Sequence, residues 1–112
     1  MALIVMKFGG SSVADAQKIT RVAGIITDSW SEGNDVVVVL SAQGDTTDEL
    51  LEKAAEITPD ASKRELDMLL STGEQISIAL MAMALEKMGI PVISLLGWQI
   101  GLDQFRLRES QN

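Results

Sequence analysis

Three short blocks of this sequence hold residues that could bind or transfer a group. The first is Lys7-Phe8-Gly9-Gly10-Ser11-Ser12. Its two glycines let backbone amides approach a ligand with no Cβ in the way. A helix starting just beyond would add N–H groups and a partial positive charge, which suits an anion. Lys7 adds a mobile full charge, so the block has phosphate-binding chemistry. The spacing is neither that of a Walker A loop nor that of a dinucleotide fingerprint, since Gly-x-x-x-x-Gly-Lys and Gly-x-Gly are both absent. The same glycines would equally serve a tight strand–helix turn with Lys7 merely solvated.

The second block, Ser41-Ala42-Gln43-Gly44-Asp45-Thr46-Thr47-Asp48, carries three hydroxyls and two carboxylates. The hydroxyls could hold a small polar ligand, and Asp45 or Asp48 could reach an ammonium group or Mg²⁺. Helix capping by Thr46 or Thr47 is the plainer use. In the third block, Ser71-Thr72-Gly73-Glu74-Gln75, Glu74 could bind a substrate ammonium. Alternatively, Ser71 and Glu74 could form a capping box.

The elements that must position these blocks follow from the hydrophobic pattern. Ala2 to Met6 is a short apolar run stopped by Gly9-Gly10, which predicts a strand buried on both faces. Ser12 and Asp15 have the spacing of a helix start, and Ile19, Val22, Ala23, Ile26 and Trp30 form a helical stripe that Gly33-Asn34 would end. Val36 to Leu40, nearly all β-branched, predicts a second strand with both faces covered. Thr46 and Glu49 predict the start of a helix through Leu50, Leu51, Ala54 and Ile57, broken at Pro59. Ser62 and Glu65 predict another start, interrupted at Gly73. A helix from about Glu74 to Met88 is apolar nearly all round and should lie between layers, its methionines (Met81, Met83, Met88) packing there. Pro91 to Leu96 reads as a third strand and Gly97-Trp98-Gln99 as a turn, with Trp98 in the core or a pocket wall.

Strands alternating with helices predict a parallel α/β sheet with right-handed crossovers. Ligands of such sheets bind at the carboxyl ends of the strands, where the polar Gly-containing loops fall. No internal repeat or low-complexity segment occurs.

Composition narrows the chemistry. The chain has 112 residues, enough for one domain, and 46 % of them are hydrophobic. A net charge of -7 argues against nucleic-acid binding, which needs a basic face. With no Cys and no His, this chain cannot supply a disulfide framework, a thiolate zinc site, or a Ser-His-Asp or Cys-His pair. Carboxylates, hydroxyls, Lys, Arg and backbone amides remain, around a hard metal such as Mg²⁺ if any. The apolar runs are each interrupted short of a membrane span, and the first residues lack a basic signal-peptide region. The expected location is the cytoplasm.

Taken together the blocks are more specific than any one of them. Lys7-Phe8-Gly9-Gly10-Ser11-Ser12-Val13 resembles the signature of aspartate kinases (aspartokinases) within the amino acid kinase family. Ser41 to Asp48 is similar to their second loop. Arg64-Glu65-Leu66-Asp67, Ser71 to Gln75 and Gly97-Trp98-Gln99 resemble their next three blocks, in order. The resemblance covers residues 1–101, the N-terminal part of the catalytic domain. Residues 102–112 do not match the family's usual continuation and read as a divergent tail.

The resemblance implies a three-layer parallel-sheet α/β sandwich of the amino acid kinase type, truncated relative to the whole enzyme. It implies transfer of the γ-phosphoryl group of Mg-ATP to the β-carboxylate of L-aspartate, giving 4-phospho-L-aspartate. That is the entry to lysine, threonine, methionine, isoleucine and diaminopimelate synthesis. Lys7 would stabilise the transferring phosphoryl group, with Phe8, Gly9, Gly10 and Ser11 around the phosphates. Ser41, Thr47 and Glu74 would hold aspartate, Glu74 facing its ammonium. No protein metal ligand is implied, Mg²⁺ arriving on the nucleotide. A carboxylate substrate with a reference pKa near ~4 is already ionised, so no protein base is needed. The adenine site and regulatory domains of the family fall outside the matched blocks, so this chain alone is expected to be inactive and to self-associate as a homo-oligomer. The competing readings are a non-catalytic self-associating fragment and another small-molecule kinase of the same fold.

Overall fold

The computed structural model describes residues 2–96. Strand β1 (Leu3–Phe8) leads through a single 3-10 turn (Gly10–Val13) into helix α1 (Ala16–Ser31). Strand β2 (Asp35–Leu40), helix α2 (Thr46–Ile57) and helix α3 (Lys63–Lys87) follow. β1 and β2 are parallel, in register from Leu3↔Asp35 to Phe8↔Leu40. A parallel pair needs a crossover, and α1 provides it.

Alternation along the strands sends Met6, Phe8, Val36, Val38 and Leu40 toward the helices. There they meet Ile19, Val22, Ala23 and Ile26 of α1, the stripe seen in the sequence, and Met81 and Leu85 of α3. The sheet residues Val36 to Val39 are half-buried and only Leu40 is buried, so the described residues cover β2 less completely than its composition predicts. Gly33, at φ 93°, ends α1 as expected. Asn34 then ties the two strands' entries together. Its amide donates to Ser29 O at 3.0 Å, and its Oδ1 accepts from Ala2 N at 3.2 Å.

Several expectations are corrected. The helix after the first loop does not start at Ser12. Glycine-rich backbone makes the 3-10 turn first, and α1 begins one turn later behind Asp15, whose carboxylate accepts from Lys18 N at 2.9 Å. Gly73 does not interrupt its helix, and Ser71 caps nothing. The hydroxyl of Ser71 donates to Met68 O at 2.7 Å within one continuous α3. That helix is not sandwiched among the described residues: only Gly73, Ser77, Met81 and Leu85 are buried, while Ile76 is 50 % and Met83 60 % exposed. Finally, among the described residues Pro91 to Leu96 adds no strand to the β1–β2 pair, because strand propensity by itself does not make a ladder.

Other expectations stand. Ser62 caps α3, accepting from Glu65 N at 3.3 Å. Gly89, at φ 80°, lies just past its end. α2 spans the expected residues, although Asp45 rather than Thr46 precedes its first turn and makes no side-chain cap. Because α3 is continuous, it is long and apolar enough to cross a membrane by length and composition, contrary to the sequence-based reading of interrupted runs. Here it packs one face on α1, α2 and β2. Residues Gly97, Trp98 and Gln99 and the tail 102–112 lie outside the described residues.

Candidate functional site

The carboxyl ends of β1 and β2 are joined beyond the strands themselves. Ser41 N donates to Phe8 O at 3.1 Å, one step further along the ladder. Two residues past Phe8 and three past Ser41, the loops dock. Gly44 N donates to Gly10 O at 3.0 Å, and Gly44 itself takes φ +45°, open to glycine at low cost. A Cβ on Gly10 would stand 2.6 Å from Ala42 O. The second glycine of the first block is therefore required by the close approach of the second block. The amide of Gln43 completes the joint, its Nε2 donating to Val13 O at 2.8 Å.

The third block reaches the same place from the other side. A Cβ on Gly73 would meet Ala42 Cβ at 2.8 Å and Thr46 Cγ2 at 3.1 Å. Ala42 is thus buried between Gly10 and Gly73. The three blocks, separated by tens of residues in sequence, meet at one alanine.

Around this joint the candidate ligand groups stay open to solvent. Lys7 is exposed at the end of β1, in register with Val39. Gly9 and Ser11 are exposed, and Phe8 and Gly10 half-buried. Ser41 and Thr47 are exposed at the end of β2 and in the first turn of α2. Glu74 is exposed on α3, directly after the glycine that seats that helix on Ala42. It also lines a cavity of about 520 Å³ shared with Val36 to Leu40, Ile78 and Pro91 to Leu95. The fold gathers the loops that carry these residues. Among the described residues, no hydrogen bond or ion pair joins Lys7, Ser41, Thr47 and Glu74 to one another.

The charges around the joint are uneven. Lys7 is the one cation in the three blocks, against Asp45, Asp48 and Glu74. An anionic ligand would therefore be drawn to the Lys7 side and an ammonium group to the Glu74 side. The ion pair found among the described residues, Lys63–Asp67 at 3.5 Å, is exposed, so it contributes little. Two participants were given no role by sequence reasoning. Ala42 and Gln43 carry no chemical signal of their own, and the contacts that define them cross 30 residues of chain in the case of Gln43.

Comparison with known proteins bears on the family and the fold. The model of the amino acid kinase family matches residues 2–112. An aspartokinase of Geobacillus stearothermophilus is 55 % identical over 102 residues, 91 % of this chain and 25 % of that protein. An aspartokinase of Mycolicibacterium smegmatis is 56 % identical over 102 residues, again 91 % of this chain and 24 % of its own length. The crystal structure of aspartate kinase from Synechocystis superposes with a TM-score of 0.81 at 52 % identity, covering 83 % of this chain and 16 % of that one. The chain thus spans about a quarter of the length of the curated relatives it matches.

Proposed function

Since this chain belongs to the amino acid kinase family, we propose that it forms the aspartate- and phosphate-binding part of an aspartate kinase. The reaction is transfer of the ATP γ-phosphoryl group to the β-carboxylate of L-aspartate, giving 4-phospho-L-aspartate for lysine, threonine, methionine and isoleucine synthesis in the cytoplasm. The observation that carries this reading is the meeting of the three blocks at Ala42. It places a cationic glycine loop, a hydroxyl-bearing loop and a carboxylate around one joint.

The roles are those the family resemblance implies, and charge and exposure support them. Lys7 neutralises charge on the transferring phosphoryl group, and the backbone of Gly9, Gly10 and Ser11, next to Phe8, turns its amides to the phosphates. Ser41 and Thr47 donate hydroxyl hydrogen bonds to aspartate, and Glu74 accepts from its ammonium group. The substrate carboxylate is its own nucleophile, so catalysis consists of alignment and charge stabilisation. Mg²⁺ enters with the nucleotide, where it offsets phosphate charge.

The test is to incubate the chain with Mg-ATP and L-aspartate, trapping acyl phosphate with hydroxylamine. Aspartate-dependent hydroxamate establishes the activity in this chain. With folding verified by circular dichroism, binding of aspartate without product restricts the chain to the binding part. Binding of neither ligand overturns the reading. A second reading, a non-catalytic self-associating chain, is favoured by the exposed α3 residues Met68, Ile76 and Met83. Sedimentation of a stable monomer would remove it.

A further inference from the structure

The Val13 carbonyl occupies an awkward place in the chain. Val13 closes the 3-10 turn, and its residue is fully buried. The α1 ladder begins only downstream, with Ile19 N donating to Asp15 O at 2.9 Å. A buried carbonyl between two helical segments needs a donor from elsewhere. Gln43 supplies it at 2.8 Å from the opposite loop. The same short stretch makes a backbone bond across the joint, Gly44 N to Gly10 O at 3.0 Å, and lies so close to Gly10 that a Cβ there would stand 2.6 Å from Ala42 O. Backbone bonds hold the two loops at Ser41 N to Phe8 O, 3.1 Å, and at Gly44 N to Gly10 O, 3.0 Å. The Gln43 amide, 30 residues away in sequence from its acceptor, adds a third point of attachment, beyond the 3-10 turn, and is, among the described residues, the one made by a side chain of the loop itself.

We propose that Gln43 is a positioning residue that holds the hydroxyl-bearing loop, Ser41 to Thr47, in fixed register with the glycine loop, Lys7 to Ser12. The inference rests on the functional reading above, because register matters only if the two loops serve ligands that must react with each other. Gln43 touches neither ligand in this scheme. Its effect passes through the loop backbone to Ser41 and Thr47.

Two variants of the full chain separate positioning from folding. Gln43→Leu keeps the side chain's bulk without the donor, and Gln43→Glu replaces the amide with a carboxylate that at neutral pH can only accept. Each is measured in three ways: thermal melting, amide exchange at Gly44, and equilibrium binding of L-aspartate. The expected result is melting close to that of the parent, faster Gly44 exchange in both variants, and aspartate binding weakened up to about tenfold. Nucleotide binding, which draws on Lys7 and the glycine loop, should change less. Unchanged Gly44 exchange would overturn the clamp. A lower melting temperature with unchanged aspartate affinity would overturn the positioning role, leaving a purely structural bond. Should the parent chain itself bind no aspartate, the functional reading fails, and Gly44 exchange still decides whether the clamp exists.

Discussion

Gly73 and Ala42 stand so close that a Cβ built on the glycine would lie 2.8 Å from the alanine's own Cβ. Glycine is the poorest ordinary residue for a helix interior, about 1 kcal/mol worse than alanine, yet α3 runs unbroken through it. Its φ is not in the left-handed region, so backbone freedom is not the reason for it. The reason is contact: α3 seats directly on the loop after β2. Gly73→Ala should therefore destabilise the chain, overpacking costing about 1–3 kcal/mol against the propensity gain. Adding Ala42→Gly removes the nearest opposing atom and should recover part of the loss. Urea midpoints of the two single variants and the double variant test this. Additive losses would place the strain elsewhere.

Gly24 offers the opposite case on α1. It is half-buried and helical, and a Cβ there would meet nothing within 4 Å. Nothing in the packing of the described residues demands a glycine. Gly24→Ala should stabilise the chain by about 0.5–1 kcal/mol through helix propensity and reduced freedom of the unfolded chain. The same urea titration reads it. Opposite signs at Gly24 and Gly73 would separate a glycine kept for contact from one that is not.

Ser77 lies one turn beyond Gly73 on the buried stripe of α3, fully buried, and its hydroxyl has no hydrogen-bond partner among the described residues. Burying an unsatisfied hydroxyl costs about 1–3 kcal/mol. Ser77→Ala removes that cost and gives up only one small atom of packing. The expected change in unfolding free energy runs from zero to a gain of about 1 kcal/mol. A clear loss by calorimetry would mean that the hydroxyl finds a partner in solution.

Periodicity and caps made most of the local structure legible. The stripe of Ile19, Val22, Ala23 and Ile26 is the buried face of α1, and Ser62 caps α3 as its spacing with Glu65 predicts. The errors arose where a local signal has two meanings. Glycine at position 73 reads as a helix stop, because sequence alone does not show the alanine against which it packs. Ser71 has cap spacing with Glu74 but donates back to Met68 O. Pro91 to Leu96 has strand composition, whereas a strand is a property of two segments and not of one. The candidate site was legible as separate loops, since glycines, hydroxyls and charges announce their chemistry. Their junction was not, because Ala42 and Gln43 act only through residues far along the chain.

Lys7 and Glu74 should prove separable by ligand. Lys7 is exposed at the end of β1, and Glu74 is exposed on α3 beyond the Ala42 joint. Each carries the charge its proposed ligand group lacks. Lys7→Ala removes the one cation of the three blocks and should weaken nucleotide binding roughly 10- to 100-fold, with a smaller effect on aspartate. Glu74→Gln keeps the shape and removes the negative charge. It should weaken aspartate binding by a similar roughly 10- to 100-fold factor and leave nucleotide binding near that of the parent. Because both side chains are exposed, neither change should move the melting temperature appreciably. Calorimetric titration of each variant with each ligand gives four affinities. The crossed pattern, one ligand lost per variant, supports a divided site. Equal loss of both ligands in either variant would mean that the two charges serve one shared subsite, and the assignment of Glu74 to the ammonium group would fall.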